Sequence, residues 1–163
     1  MSNLKKPTVK RVRQALTDAG LNDAVIELDE TARTAEDAAK ATNSELGAIV
    51  KSLVFIIGEE PVLALVAGDH KCVPENLPRA LNLEGEVRKT DADMVKAATG
   101  FSIGGVAPVG LALDLPVVID VSLKRFDTIY AAAGHPHCVF PTTVNELKRL
   151  TGGIVSYNIA EPV

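Results

Sequence analysis

The chain contains no tryptophan, two cysteines, two tyrosines and four phenylalanines in 163 residues. With aromatic residues at 4% and apolar residues at 47%, any core must be aliphatic, built from Val, Ile, Leu and Ala. Cys72 and Cys138 are too few for a disulfide framework. Neither sign of charge dominates, since 17 Lys and Arg face 21 Asp and Glu for a net of −4. That balance advertises no broad nucleic-acid surface and leaves room only for a local basic patch. No apolar run reaches the roughly 20 residues of a membrane span. The opening "MSNLKKPTVKRVRQ" is too polar for a signal peptide. The expectation is therefore one cytoplasmic domain over residues 1–163, long enough to bury its own core.

Several motifs are also missing. "GGVAPVG", residues 104–110, lacks the Lys-Ser/Thr pair of a phosphate-binding P-loop and the spacing of a dinucleotide site. Ser102 lies in no GxSxG elbow. His70, Cys72, His135 and His137 show no CxxC or HExxH spacing, so neither a metal nor a cofactor is expected. A metal-dependent hydrolase using those four residues is the last-ranked reading. Cys138 falls in an apolar run and reads as packing rather than as a nucleophile.

The periodicity that is present predicts a mixed α/β fold. Val9, Val12, Leu16 and Ala19 recur at helical spacing, and Gly20 ends the helix. "AVIEL" reads as a strand. Thr34 is an N-cap with acids in the following turn. Residues 45–68 read as a hairpin turning at Gly58–Pro61. Short helices are expected over "PENLPRALN" and before Gly100, and a small strand at "VRK". "LPVVIDVSL" and "FDTIYAAAG" read as strands. Thr143 and Glu146 stand in capping-box register before Gly152, and "GIVSYNIAE" closes the chain as a strand. About seven strands and five helices that do not alternate strictly argue for a partly antiparallel sheet.

Two places could carry chemistry. Lys51 interrupts the apolar strand "AIVKSLVFII" and shares a strand face with Ile49, Leu53 and Phe55. It is either a strand-end lysine whose ammonium reaches water, or a cation held at a pocket mouth to bind an anion. The loop "FSIGGVAPVG" is either a turn that needs positive φ, or a nest of N–H donors around a polarised carbonyl oxygen.

The stretches "TAEDAAKATNSELGAIVKSLVF", "GDHKCV", "GFSIGGVAPVG" and "AAAGHPHCVFPTTVNELKRLTGG" occur together, in this order. As a set they resemble the YbaK/prolyl-tRNA synthetase-associated domain family, from about residue 25 to the C-terminus. The resemblance implies a barrel-like, mostly antiparallel sheet surrounded by helices. It implies an aminoacyl-tRNA deacylase that edits in trans, without a cofactor. Its partners would be misacylated tRNA and prolyl-tRNA synthetase, and not DNA or a membrane. Lys51 matches the family's strand lysine, which holds the acylated end of the substrate. Gly104 to Pro108 matches its Gly-x-x-x-Pro loop, with Gly105, Val106 and Ala107 inside it and the backbone facing the ester carbonyl. Thr34 matches a polar position lining the pocket. The resemblance places His135 and His137 in the loop after the last barrel strand, which borders the aminoacyl site with Ala132 and Gly134; some members carry a hydroxyl at position 132, and others a Lys-Arg pair after the glycine. This departure leaves Ala, Cys, Ser and Thr as candidates for the amino acid removed, on tRNA(Pro) before other tRNAs. The family resemblance also suggests that a hydroxyl of the substrate's own ribose activates the attacking water. RNA contact is expected from Lys10, Arg11, Arg13, Lys71 and Lys124. The competing reading is a non-catalytic module of the same fold that binds tRNA or a synthetase.

Overall fold

A computed structural model describes residues 2–32 and 34–163. Helix α1 (Pro7–Asp18) buries Val9, Val12 and Leu16 along one stripe, as their spacing requires. A two-residue strand, β1 (Ile26–Glu27), precedes α2 (Ala35–Thr42). Thr34 caps α2: its hydroxyl accepts from the Asp37 N–H, and the Asp37 carboxylate accepts from the Thr34 N–H. The hairpin β2 (Val50–Ile57) and β3 (Glu60–Ala67) follows in full register from Val50↔Ala67 to Ile57↔Glu60. Then come β4 (His70–Cys72), α3 (Leu77–Leu81), β5 (Val87–Lys89) and α4 (Ala92–Thr99). A long irregular loop leads to β6 (Val117–Asp120), and β7 (Ile129–His135) and β8 (Cys138–Thr142) form a second hairpin. The chain ends with α5 (Val144–Thr151), β9 (Ile154–Ser156) and β10 (Ala160–Pro162). None of the helices among the described residues is long and apolar enough to cross a membrane.

The strands assemble as β5-β2-β3-β6-β9, β1-β8-β7 and β10-β4. Five strand pairs are antiparallel, while β3-β6 and β6-β9 are parallel. The mixed α/β class holds, but two details of the expectation change. Among the described residues there are ten strands rather than about seven, and the three sheets do not close into a barrel. A single parallel bridge, Ile49↔Tyr130, joins the five-stranded sheet to the β7-β8 sheet. β4 is too short to show alternation, and the single closing strand expected over "GIVSYNIAE" is two, β9 and β10. The other addition is β8, where Pro141 argues against a strand. Pro141 is tolerated because β1 pairs β8 only at Cys138 and Val139, which leaves an open edge beyond them. His135 therefore ends a strand and His137 lies in the hairpin turn, rather than both lying in a loop.

Both faces of the central sheet are buried. Val50, Val54, Leu63, Leu65, Val117 and Ile119 face α1, α4, α5 and the β7-β8 hairpin. Phe55, Ile57, Val62, Ala64, Val66 and Val118 face α3 and Ile159. The core is aliphatic as expected, although Phe101 and Phe140 are its largest fully buried side chains. Cys138 is fully buried packing, and burial pushes its thiol up to about 11. The capping box at α5 is half made. Thr143 accepts from the Glu146 N–H, but the Glu146 carboxylate takes the Thr142 hydroxyl instead.

Candidate active site

Strand β2 carries the candidate lysine because its apolar run is long enough to cross the sheet. On one side β3 pairs with all of it, and on the other β5 pairs only with residues 55–57. Between the Ile49↔Tyr130 bridge to β7 and the β5 pairing, residues 51–54 have no strand partner on that side and form an open stretch of edge. The Thr90 hydroxyl donates to the Val54 carbonyl there at 2.9 Å, so Val54 points its backbone toward that edge. By the two-residue period of a strand, Ser52 does the same.

A cavity of about 260 Å³ sits against this edge, lined by Ser52, Val54, Thr90, Ile103, Gly104 and Val106, among others. The glycine loop forms its wall. Phe101, Val106, Ala107 and Val109 anchor the loop in the core, whereas Ser102, Ile103 and Gly104 are exposed. Gly104 has φ +89, a conformation that favours glycine. The Gly105 N–H donates to the Ser102 carbonyl at 2.9 Å. It is thus occupied within the loop. Gly105 has a different physical requirement: a Cβ there would lie 3.0 Å from the His135 Cα and N. The N–H groups of Gly104, Val106 and Ala107 have no acceptor among the described residues. A loop that leaves main-chain donors unpaired beside a cavity is equipped to bind an anion or a polarised carbonyl.

Lys51 is half-buried on the opposite face of β2 from Ser52, the face of Leu53 and Phe55. Its ammonium donates to the main-chain carbonyl of His70. No carboxylate pairs with it among the described residues. It therefore does not simply reach water, and two of its three N–H bonds remain to be used. Asp69, next to His70, is gripped by Arg125, whose guanidinium holds the carboxyl well below the usual range.

The other expected residues divide into groups. Gly104, Gly105, Gly134 and His135 come together, with the Gly105 backbone resting on the β7 end and Gly104 near the Pro136 ring. His135 Nδ1 accepts from the His137 N–H at 3.1 Å, which puts the proton of the neutral ring on Nε2. Burial, then the nearby charges of Lys6 and His137, hold His135 below the ordinary histidine range. Ala132 is half-buried in β7 opposite Val139. Thr34 is exposed, and its oxygen is engaged in capping α2. Pro108 turns away to line a different cavity, of about 350 Å³, between α1, α5 and residues 108–115. His70 and Cys72 lie on β4, apart from the His135–His137 pair, and no cluster of metal-binding side chains forms among the described residues. Of the basic residues, Arg11 is committed to the fold: it stacks on Phe101 at 4.4 Å and donates to the Thr99 carbonyl. Arg13 pairs with Asp23, and Lys71 with Glu161. Lys10 and Lys124 are exposed.

Ser52 is a residue that the sequence reading passed over. Its Oγ is buried and has no hydrogen-bond partner among the described residues. The one available signal was a hydroxyl at an alternation position otherwise held by Val50 and Val54. An unpaired buried hydroxyl costs about 1–3 kcal/mol. Ser52→Ala is therefore expected to raise the midpoint of thermal unfolding by a few degrees. An unchanged or lower midpoint in calorimetry would show that the hydroxyl has a partner.

The aminoacyl-tRNA editing domain model matches residues 29–150. The uncharacterized protein YwhH of Bacillus subtilis (strain 168) is 34% identical over 145 residues, 88% of this chain and 91% of that protein. The proline–tRNA ligase of Citrifermentans bemidjiense is 35% identical over 101 residues, 62% of this chain but only 18% of the ligase. A crystal structure described as a candidate trans-editing enzyme for prolyl-tRNA synthetase superposes with a TM-score of 0.89 at 38% identity. It covers 96% of this chain and 98% of that one.

Proposed function

The chain belongs to the aminoacyl-tRNA editing domain family, and from that premise we propose that it hydrolyses the ester between a small amino acid and the 3′ end of a mischarged tRNA. The observation that carries this reading is the glycine loop. Its Gly104 and Val106 N–H groups are unpaired at a cavity beside the open edge of β2.

Ester hydrolysis places negative charge on the former carbonyl oxygen as water attacks. Fixed N–H donors stabilise that charge without a side chain, and each is worth about 2.7–4 kcal/mol of barrier. An activated ester needs little beyond such donors and a positioned water, which fits a site without a Ser-His-Asp triad. A hydroxyl of the substrate's own ribose activates that water in this reading. Lys51 contributes charge and position, holding the acylated end rather than attacking it. Gly105, with its N–H engaged, serves by letting the loop approach β7 closely. Thr34, Ala132, Gly134, His135 and His137 border the aminoacyl group, and neutral His135 presents Nε2–H as a donor.

A cell needs such an enzyme because a synthetase pocket rejects a slightly smaller amino acid by only about 1–3 kcal/mol per methylene. Ala, Cys, Ser and Thr on tRNA(Pro) are the substrates to test first, and a prolyl-tRNA synthetase is the partner whose errors are removed. The net charge of −4 fits a modest, salt-sensitive grip on tRNA.

The test is hydrolysis of tRNA(Pro) and one other tRNA charged with each of these four amino acids. Selective release of one amino acid, dependent on Lys51, is expected. Tight tRNA binding without release from any substrate would favour a non-catalytic binding module instead.

A further inference from the structure

Lys51 has a long, flexible side chain, and its ammonium rests on the carbonyl of His70. That carbonyl lies at the start of β4, which is tied on one side by its ladder with β10 and by the Val163 N–H on the Asp69 carbonyl. On the other side the Asp69 side chain ties the turn between β3 and β4. The Asp69 carboxylate accepts from Arg125 Nη1 at 2.9 Å and Nη2 at 2.8 Å, a two-point planar pair. The same carboxylate lies 2.7 Å from His70 Nδ1. Arg125 is held in turn, since its Nε donates to the Ser122 carbonyl at 2.6 Å and its guanidinium stacks on Phe126 at 4.9 Å.

The same pair also reaches the root of the lysine strand. Residues 46–48 lead directly into β2. A Cβ on Gly47 would lie 2.7 Å from Arg125 Nη2 and 2.8 Å from Asp69 Oδ2. A Cβ on Gly68 would collide with the Leu46 carbonyl. Thus the segment that feeds Lys51 and the turn that receives its ammonium both close around one ion pair.

That pair is a poor device for stability. Arg125 is 43% and Asp69 33% exposed at the side chain, and exposed pairs contribute little to stability. It is a good device for geometry. Lysine has a flexible four-carbon stem with many rotamers, and a displacement of about 1 Å at a reacting centre costs about a hundredfold in rate.

We propose that Asp69 and Arg125 are positioning residues for Lys51: their ion pair holds the His70 carbonyl, and so the ammonium, where the acylated tRNA end is received. The proposal rests on the role of Lys51 given above.

The experiment places Asp69→Asn, and separately Arg125→Gln, in the wild-type and Lys51→Ala backgrounds. Single-turnover deacylation is measured, together with the lysine NH3+ signals in 1H–15N spectra. The Lys51 signal is identified by its loss in Lys51→Ala. In the wild-type background each variant is expected to slow the chemical step by about tenfold to a hundredfold, with the KM for tRNA nearly unchanged. In the Lys51→Ala background neither variant should slow it further. The Lys51 NH3+ signal, protected from exchange by its hydrogen bond, should broaden or vanish in both variants. Equal losses in the two backgrounds would overturn the proposal, as would an unchanged Lys51 signal in a folded variant. Arg125→Gln is an exposed change and keeps the test available if Asp69→Asn folds poorly. If the wild type releases no amino acid from any substrate, the catalytic reading fails. The Lys51 signal then decides the positioning claim by itself.

Discussion

Lys51→Ala is expected to fold normally and to lose deacylation by about a hundredfold to a thousandfold in kcat, the scale seen when one fixed transition-state donor is removed. Folding should survive because the ammonium has no carboxylate partner among the described residues. Its removal therefore orphans no buried charge, which is what makes the loss of one half of a buried pair so destabilising. The His70 carbonyl loses one donor, on a residue that is itself only half-buried. Lys51→Met separates the two halves of the side chain. It keeps an unbranched apolar stem and removes the charge, so it should be as slow as Lys51→Ala while being at least as stable. Lys51→Arg keeps the charge but replaces a compact ammonium by a wide planar fork, and should recover only part of the rate. Rates for Lys51→Met equal to wild type would mean that the charge plays no part.

Gly134→Ala should be the most damaging substitution to the fold around the site. Gly134 has φ +93 at the bulge where the β7-β8 register shifts between Ala132 and His135. A Cβ there would lie 2.6 Å from the Thr8 carbonyl oxygen and 2.8 Å from its carbon. Both are backbone atoms in the first turn of α1, so no side chain can rotate away. Helix α1 must move off β7, and Val9 and Val12 leave the core with it. The loss should be about 3 kcal/mol or more, a fall of about 6–12 °C in Tm for a chain of this size. Gly152→Ala is the matched control. Its φ is +68, but a Cβ there meets nothing within 4 Å, so only about 1–2 kcal/mol of left-handed strain is expected. Equal losses for the two would mean that α1 packs less closely on β7 than the structure has it. Activity should fall further than stability, because Gly105 rests on the same strand end.

Where local rules suffice, the structure agrees with the sequence. The stripe of α1, the Thr34 cap, the β2-β3 hairpin and the glycine stops at residues 100 and 152 all depend on neighbours a few residues apart. The three-residue strand β4 does not, nor does the break that divides the closing strand into β9 and β10. Both follow from a partner strand elsewhere that offers a ladder, and nothing within three residues announces that partner. The same holds for β8, whose proline is disqualifying until one knows that its other edge is open at that point. The site divides along the same line. The sequence singled out Lys51 and the glycine loop, because a charge in an apolar strand and a crowd of glycines are local anomalies.

The amino-acid sequence alone determined an aliphatic mixed α/β domain, its five helices and main hairpin, and the family to which it belongs. Only the tertiary structure decided how many strands there are, that no barrel closes, and which N–H groups of the loop are unpaired. It also decided that Asp69, His70 and Arg125 converge on Lys51 from 18, 19 and 74 residues away along the chain. The physical reason is range. Periodicity, capping and turn chemistry act over one or two turns of chain and leave a mark in composition. Hydrogen bonds and ion pairs between distant segments leave none, because an isolated aspartate and an isolated arginine look the same whether or not folding brings them together.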